Sequence, residues 1–299
     1  MSYIELYCSH QNVFGGIQKP FDKAEYVVFG VPFDATSTYR TGSRFGPTAI
    51  RQASLNIETY SFRAEKDLED VPLHDAGDSS VSMNAKLTVD MCKLVTADII
   101  SEGKAPIAIG GEHTATLGIL QGMGEKAKKT AVVSFDAHLD VREEFLGLTL
   151  SHATFMRLIS EDVAPAKIFE VGTRSVCQEE LDYAKEVGIE FIPTLQIKRE
   201  GAAKTVRTLR QKLSPYERVY FTVDMDVLDP AFAPAVQNPE SDGISTGELL
   251  DIVCALCDSR VVGFDVVEVT PIYDQGISAV AAAKIVFEML CHLEKSRKI

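Results

Sequence analysis

The sequence predicts an α/β protein, a three-layer α/β/α sandwich around a mostly parallel sheet of about eight strands, with residues 1–299 forming a single domain. Two observations carry that expectation. Short β-branched runs alternate with longer amphipathic stretches, the pattern of βα units whose crossovers cover both faces of a sheet. No internal repeat, low-complexity tract or Pro/Gly/Ser-rich linker interrupts the alternation, so 299 residues, enough for two ordinary domains, read as one large one.

Taken in order, the apolar runs place strands at 26–31, 71–75, 106–109, 131–135, 167–171, 189–192, 218–223 and 261–268. Between them, helical periodicity predicts helices at 84–102, 114–122, 178–186, 200–212, 246–257 and 277–295. Lys and Arg number 30 against 43 Asp and Glu, a net charge of −13 with no basic block, which disfavours a protein that tracks a nucleic-acid backbone and suits a small cationic ligand. Hydrophobic residues at 45% exclude a disordered or collagen-like chain. The first ten residues, Met1 to His10, carry Glu5 and no basic region ahead of an apolar stretch. No later run approaches the roughly 18 apolar residues that span a bilayer, so the chain reads as cytoplasmic, with no membrane partner. Six scattered cysteines do not make a disulfide framework. Cys254 and Cys257 have a CxxC spacing, but with no second pair and inside a periodic apolar stretch they read as one face of a helix rather than half a zinc site.

The chemistry gathers where four expected strands end. These ends are Gly110-Gly111-Glu112-His113, Asp136-Ala137-His138-Leu139-Asp140, Asp224-Met225-Asp226 and Glu268. Ligands of open parallel sheets bind beyond the carboxyl ends of the strands, so the four should meet in one crevice. Residues two apart in extended chain share a face about 6.6 Å apart, which suits Asp136 with His138 and Asp224 with Asp226 as metal ligands. Asp140 would lie about 13 Å from Asp136 if the strand continued, so the chain must curl there. Two ions about 3.5–4 Å apart need bridging carboxylates, and one Asp from each of two strands would supply them. Four aspartates balance two divalent cations, and a set of carboxylates and imidazoles without thiolate points to Mn first, then Zn, Fe or Co.

These segments, together with Ser151-His152, Asp224 to Pro230, Glu268-Val269-Thr270-Pro271, Gly30-Val31-Pro32-Phe33-Asp34 and Arg44-Phe45-Gly46-Pro47, resemble the signature segments of the ureohydrolases, the arginase and agmatinase family, most closely in the agmatinase style. The resemblance spans nearly the whole chain in the family's order. It implies an arginase-like fold, a binuclear manganese centre, hydrolysis of a guanidino group to release urea, and a homo-oligomer, trimer or hexamer. By motif position, His113, Asp136, Asp140 and Asp224 would hold one Mn2+ and His138, Asp136, Asp224 and Asp226 the other, with Asp136 and Asp224 as bridges. A water shared by two divalent cations deprotonates far more readily than bulk water, so the expected nucleophile is a metal-bridging hydroxide attacking the guanidinium carbon. The departing amine needs a proton, because an alkylammonium has a pKa of about 10.4. His152 matches the family's proton shuttle, and Glu268 its guanidinium-binding carboxylate.

The resemblance also orders the substrates. Arginases hold the substrate's α-carboxylate with a Ser-Gly-Asn stretch before the shuttle histidine, whereas Leu148-Thr149-Leu150 stands here. Agmatine, which lacks that carboxylate, is therefore the expected substrate, with Glu143 or Glu144 as candidate partners of its ammonium. Glu112 stands where Asp is usual, Ala153 where agmatinases have Gly, and Leu150 where Tyr is common. The loop 235–243 carries fewer glycines than its counterparts and is expected to follow its own path. Arginase, guanidinobutyrase, guanidinopropionase, proclavaminate amidinohydrolase and formimidoylglutamase activities are the alternatives within the family, and a carboxylated substrate would call on Arg40 or Arg142. A non-catalytic metal-binding protein and a single-metal deacetylase are the readings from other classes. The first has no use for His152 and Glu268, and the second none for two bridging Asp pairs.

Overall fold

All eight expected strands form: β1 (Tyr26–Val31), β2 (Leu73–Ser79), β3 (Ala105–Gly110), β4 (Ala131–Phe135), β5 (Lys167–Thr173), β6 (Glu190–Pro193), β7 (Val219–Asp224) and β8 (Val261–Val267). They share one sheet in the order β2-β1-β3-β8-β7-β4-β5-β6, and each neighbouring pair is parallel. A two-residue segment, Cys8–Ser9, adds an antiparallel ninth strand outside β2. The computed structural model describes residues 2–3, 7–9 and 12–297; His10 lies outside them.

The strands are near-continuous apolar runs because both faces of the sheet are covered: every residue of β1, β4 and β7 is buried. Successive side chains point to opposite faces, so Val28, Ile107, Val133 and Phe221 enter one core while Val27, Ala108, Val132 and Tyr220 enter the other. Nine helices are described: α1 (Gly46–Ser54), α2 (Ala85–Ser101), α3 (Ala115–Gly122), α4 (Phe155–Leu158), α5 (Gln178–Glu186), α6 (Thr194–Glu200), α7 (Ala202–Leu213), α8 (Thr246–Leu256) and α9 (Ile277–Arg297). The first core takes Ile50, Ile197, Leu209, Ile252 and Ile285 from α1 and α6 to α9. The second takes Val95, Ile119, Phe155 and Ala184 from α2 to α5.

Several details differ from the sequence reading: the short helix α4 was not expected, and the strand placed at 71–75 runs from Leu73 to Ser79. The helix expected over 200–212 forms as α7, and an unexpected helix, α6, precedes it across Gly201, whose φ of +80° turns the chain between them. The helix α1 was not expected; Pro47 in its first turn, where no backbone donor is required, starts it. The last strand stops at Val267, because Glu268 adopts φ +70° and leaves the sheet.

Candidate metal centre

The four strands whose ends carry the polar motifs, β3, β8, β7 and β4, are consecutive in the sheet. Beyond β3 the chain crosses the end of β1 so closely that a Cβ on Gly111 would lie 2.1 Å from the Phe33 carbonyl oxygen. Gly111 and Glu112 donate their backbone N–H groups to Val31 and Phe33, each at 2.7 Å, and Glu268 N–H donates to the Gly111 carbonyl at 2.8 Å. The loop that ends in His113 is thereby fixed to the turn that carries Glu268. Across the crevice, Ala137 N–H donates to Asp226 Oδ1 at 3.1 Å and Asp226 N–H to Asp224 Oδ1 at 2.8 Å. The curl required at Asp140 is present as a left-handed residue, φ +51°.

The result is two nested groups of donors. His113 Nδ1 is 3.1 Å from both Asp136 Oδ2 and Asp224 Oδ2. His138 Nδ1 is 3.0 Å from Asp226 Oδ2 and 3.5 Å from Asp136 Oδ1. One ligand atom from each of His113, Asp136 and Asp224 lies within 4.8 Å of the others, and so do those of Asp136, His138 and Asp226. Asp136 belongs to both groups, as a bridge would; Asp224 belongs to the first alone, and Asp140 to neither. Asp140 instead lines the cavity that the groups face, about 300 Å³ in volume, together with His152 and Glu268.

The electrostatics fit a cationic occupant. Burial raises the Asp140 and Asp224 carboxyls well above their ordinary range, and the neighbouring aspartates, Asp136 against Asp140 and Asp226 against Asp224, raise them further. Burial also opposes the charge of Asp136, but hydrogen bonds from His113 and His138 hold its carboxyl low. For His113, burial is outweighed by the hydrogen bond and charge of Asp136, which lift it to about 9. Behind it, His113 Nε2 is 2.7 Å from Thr222 Oγ1, and that hydroxyl donates to Asp265 Oδ1 at 2.5 Å. Asp265 also accepts from Tyr220 and Thr116. With a cation in place of the Nδ1 proton, such a chain would keep a proton on Nε2 and present the Nδ1 lone pair to the ion, as in metal-binding histidines. Crowded buried carboxylates, an imidazole oriented from behind and no thiolate among the donors fit two hard or borderline divalent ions.

His152 and Glu268 both reach the cavity. Glu268 Oε1 accepts from His113 N–H at 2.8 Å, while Oε2 is buried without a protein partner. His152 sits in the turn before α4, its N–H donating to Thr36 Oγ1 at 3.1 Å, with Nε2 3.4 Å from Thr38 Oγ1. Burial, then the charge of His138, pushes its imidazole down to about 4. Glu143 and Glu144 are exposed and absent from the lining; Arg40 is half-buried and also absent from it, stacking between Tyr39 and Tyr273 and donating to the Pro234 carbonyl. Arg142 does line the cavity, with Nη2 3.6 Å from Glu180 Oε2. The acidic residues that the sequence reading missed are Glu180 and Glu240; Glu240 lies in the 235–243 loop, 3.8 Å from His138 Nε2. Asp265 was missed as well, although a lone carboxylate inside Val-Val-Gly-Phe-Asp-Val-Val was a readable signal.

The profile described as Arginase family matches residues 24–291. The chain belongs to the arginase family. This arginase-family protein is 38% identical to an agmatinase of Bacillus anthracis over 97% of this chain and 98% of that one. It is 34% identical to an N(1)-aminopropylagmatine ureohydrolase of Thermococcus kodakarensis, over 89% of this chain and 90% of that one. Its fold superposes on the crystal structure of the agmatine ureohydrolase of Thermoplasma volcanium with a TM-score of 0.89 at 34% identity, covering 97% and 96% of the two chains.

Proposed function

We propose that this protein hydrolyses agmatine to putrescine and urea, with two Mn2+ ions bound per chain. The observation that carries the reading is the buried, unpartnered Glu268 Oε2, facing the same cavity as two donor groups that share Asp136. His113, Asp136, Asp140 and Asp224 would hold one ion and His138, Asp136, Asp224 and Asp226 the other. When bound, the pair supplies a nucleophilic hydroxide near neutral pH.

The remaining work falls to the chain. Glu268 Oε2 accepts guanidinium N–H bonds and sets the planar carbon against the donor groups, with Oε1 held by His113 N–H. His152, neutral at pH 7, cannot begin as the acid; it takes up the proton released in the attack and delivers it to the departing nitrogen. Glu240 and Glu180 give the outer cavity a negative lining suited to the terminal ammonium. A carboxylated guanidine would face Arg142, whose charge Glu180 already meets.

The same reading takes 1–299 as one catalytic domain, supported by one continuous sheet and a family match over 24–291. It includes a homo-oligomer, trimer or hexamer, supported by the exposed Phe62, Ile272 and Ile277. It also includes a cytoplasmic setting; among the described residues no helix is long and apolar enough to cross a membrane. The test is urea release by the manganese-loaded protein from agmatine, L-arginine and 4-guanidinobutyrate in parallel, with metal counted on the same sample. Preference for agmatine of tenfold or more is expected, and preference for a carboxylated substrate would overturn the assignment.

A further inference from the structure

A second group of ligand-type side chains lies away from the crevice, between two helices of the first core. Cys254 projects from α8, and Glu288 and His292 project from one face of α9, four residues apart. One ligand atom of each lies within 4.8 Å of the other two. Cys254 and Glu288 are buried and His292 is half-buried. Cys254 and His292 also line a cavity of about 560 Å³, which offers room for a water as a further ligand.

We propose that Cys254, Glu288 and His292 form a second metal site, for a soft or borderline divalent cation of the zinc type, that ties α8 to α9. Three lines of chemistry support it. The donors are one sulfur, one nitrogen and one oxygen, a set that zinc takes with three protein ligands and an open fourth position. Donors on tetrahedral zinc are about 3.4–3.6 Å apart, so the group needs only side-chain adjustment to close on an ion. His292 Nε2 is buried without a protein partner, a nitrogen for which the metal would account.

The neighbours suit the same assignment. Glu288 Oε2 accepts from the Ser61 hydroxyl at 2.5 Å and Oε1 pairs with Lys284 at 2.8 Å, which fixes the carboxylate as outer partners of a ligand do. Burial lowers the His292 imidazole and raises the Cys254 thiol, so a cation bound there would have to displace the thiol proton. The ligands come from across the helix pair: Cys257, the other half of the CxxC, is not in the group, so its spacing is incidental. The crevice donors contain no sulfur, so the two centres differ in softness and therefore in preferred metal.

That difference supplies the test. The full-length, manganese-loaded protein is titrated with Co2+ and then with Zn2+ while near-ultraviolet absorption is followed. A thiolate-to-cobalt charge-transfer band should grow to one equivalent and be bleached by zinc. It should be absent in Cys254→Ser, at least tenfold weaker in cobalt affinity in His292→Ala, and intact in Asp136→Asn. Cys254→Ala and His292→Gln replace either variant that does not fold. No band in the native protein, or a band of equal intensity without Cys254, would overturn the site.

Discussion

Replacing Thr36 by Val separates a positioning role at the proton carrier from a packing role. The Thr36 hydroxyl is buried between two functional segments: it donates to Glu112 Oε1 and accepts the His152 N–H at 3.1 Å. Glu112 is further held by Thr36 N–H at 2.9 Å and by the Thr114 hydroxyl, and its carboxyl lies beside the loop that ends in His113. Valine keeps the shape and removes both hydroxyl bonds. Each is worth about 1 kcal/mol net, and the orphaned His152 N–H adds the cost of a buried unsatisfied donor, roughly 1–3 kcal/mol, for a total of about 3–5 kcal/mol. If about 1.4 kcal/mol of that appears as misplacement of the imidazole in the transition state, kcat falls tenfold. The assay is kcat and KM for agmatine with thermal midpoint and metal content on the same preparations, for Thr36→Val and Thr36→Ser. The expected result is a tenfold loss of kcat with KM and metal content nearly unchanged, recovered by serine. A lowered midpoint with unchanged kcat, or no recovery by serine, would refute the positioning role.

Other outcomes follow from the same geometry. Asp136→Ala should lose both metal and urea release, since its side chain belongs to both donor groups; two ions per chain by elemental analysis would show that it bridges nothing. His152→Ala should lower turnover while metal content stays intact, because its ring nitrogens face the Thr36 and Thr38 hydroxyls, each at 3.4 Å. Gly111→Ala should destabilise by about 1–3 kcal/mol of overpacking against Phe33 and weaken metal binding, whereas Gly247→Ala, whose nearest neighbour would be Ser245 Oγ at 3.9 Å, should leave the thermal midpoint unchanged or raised. Glu240→Gln should raise KM for agmatine with little effect on kcat, and an unchanged KM would remove Glu240 from the ammonium's partners.

The fold was legible because its information is local. A strand buried on both faces must be apolar throughout, so β1 and β4 announce themselves at their true starts and β7 within one residue of its own. Helix breaks are less visible: nothing in the periodicity of 200–212 distinguishes a glycine tolerated in a helix from Gly201, whose left-handed φ divides α6 from α7. The sheet order was not legible at all, because the pairing of β3 with β8 joins strands about 150 residues apart, beyond the reach of any window. The polar strand ends therefore pointed to a common crevice before anything showed that their four strands are neighbours.

The site was legible where a donor sits at a strand end and opaque where it acts through another residue. Asp136 and Asp224 stand at strand ends as expected, but the chain after each is not extended: His138 N–H turns back to Asp136 Oδ1 at 2.6 Å, and Asp226, in the 3-10 turn Met225–Val227, donates its N–H to Asp224 Oδ1 at 2.8 Å. Asp265 stands in mid-strand, facing the helices, and its purpose appears only when Thr222, Tyr220 and Thr116 are seen to donate to it and Thr222 to meet His113. Glu240 was hidden for the opposite reason, since a surface loop gives no periodicity from which to infer a direction. Glu143 and Glu144 looked equivalent to it by charge and proximity to His152, yet they point to solvent while Glu240 lines the cavity. Charge in a sequence thus identifies what a cationic substrate needs, but backbone direction decides which carboxylate meets it, and along 235–243 that direction is set by contacts as distant as Ser175 to Glu240, at 2.9 Å, and Arg174 to the Glu240 carbonyl, at 2.8 Å.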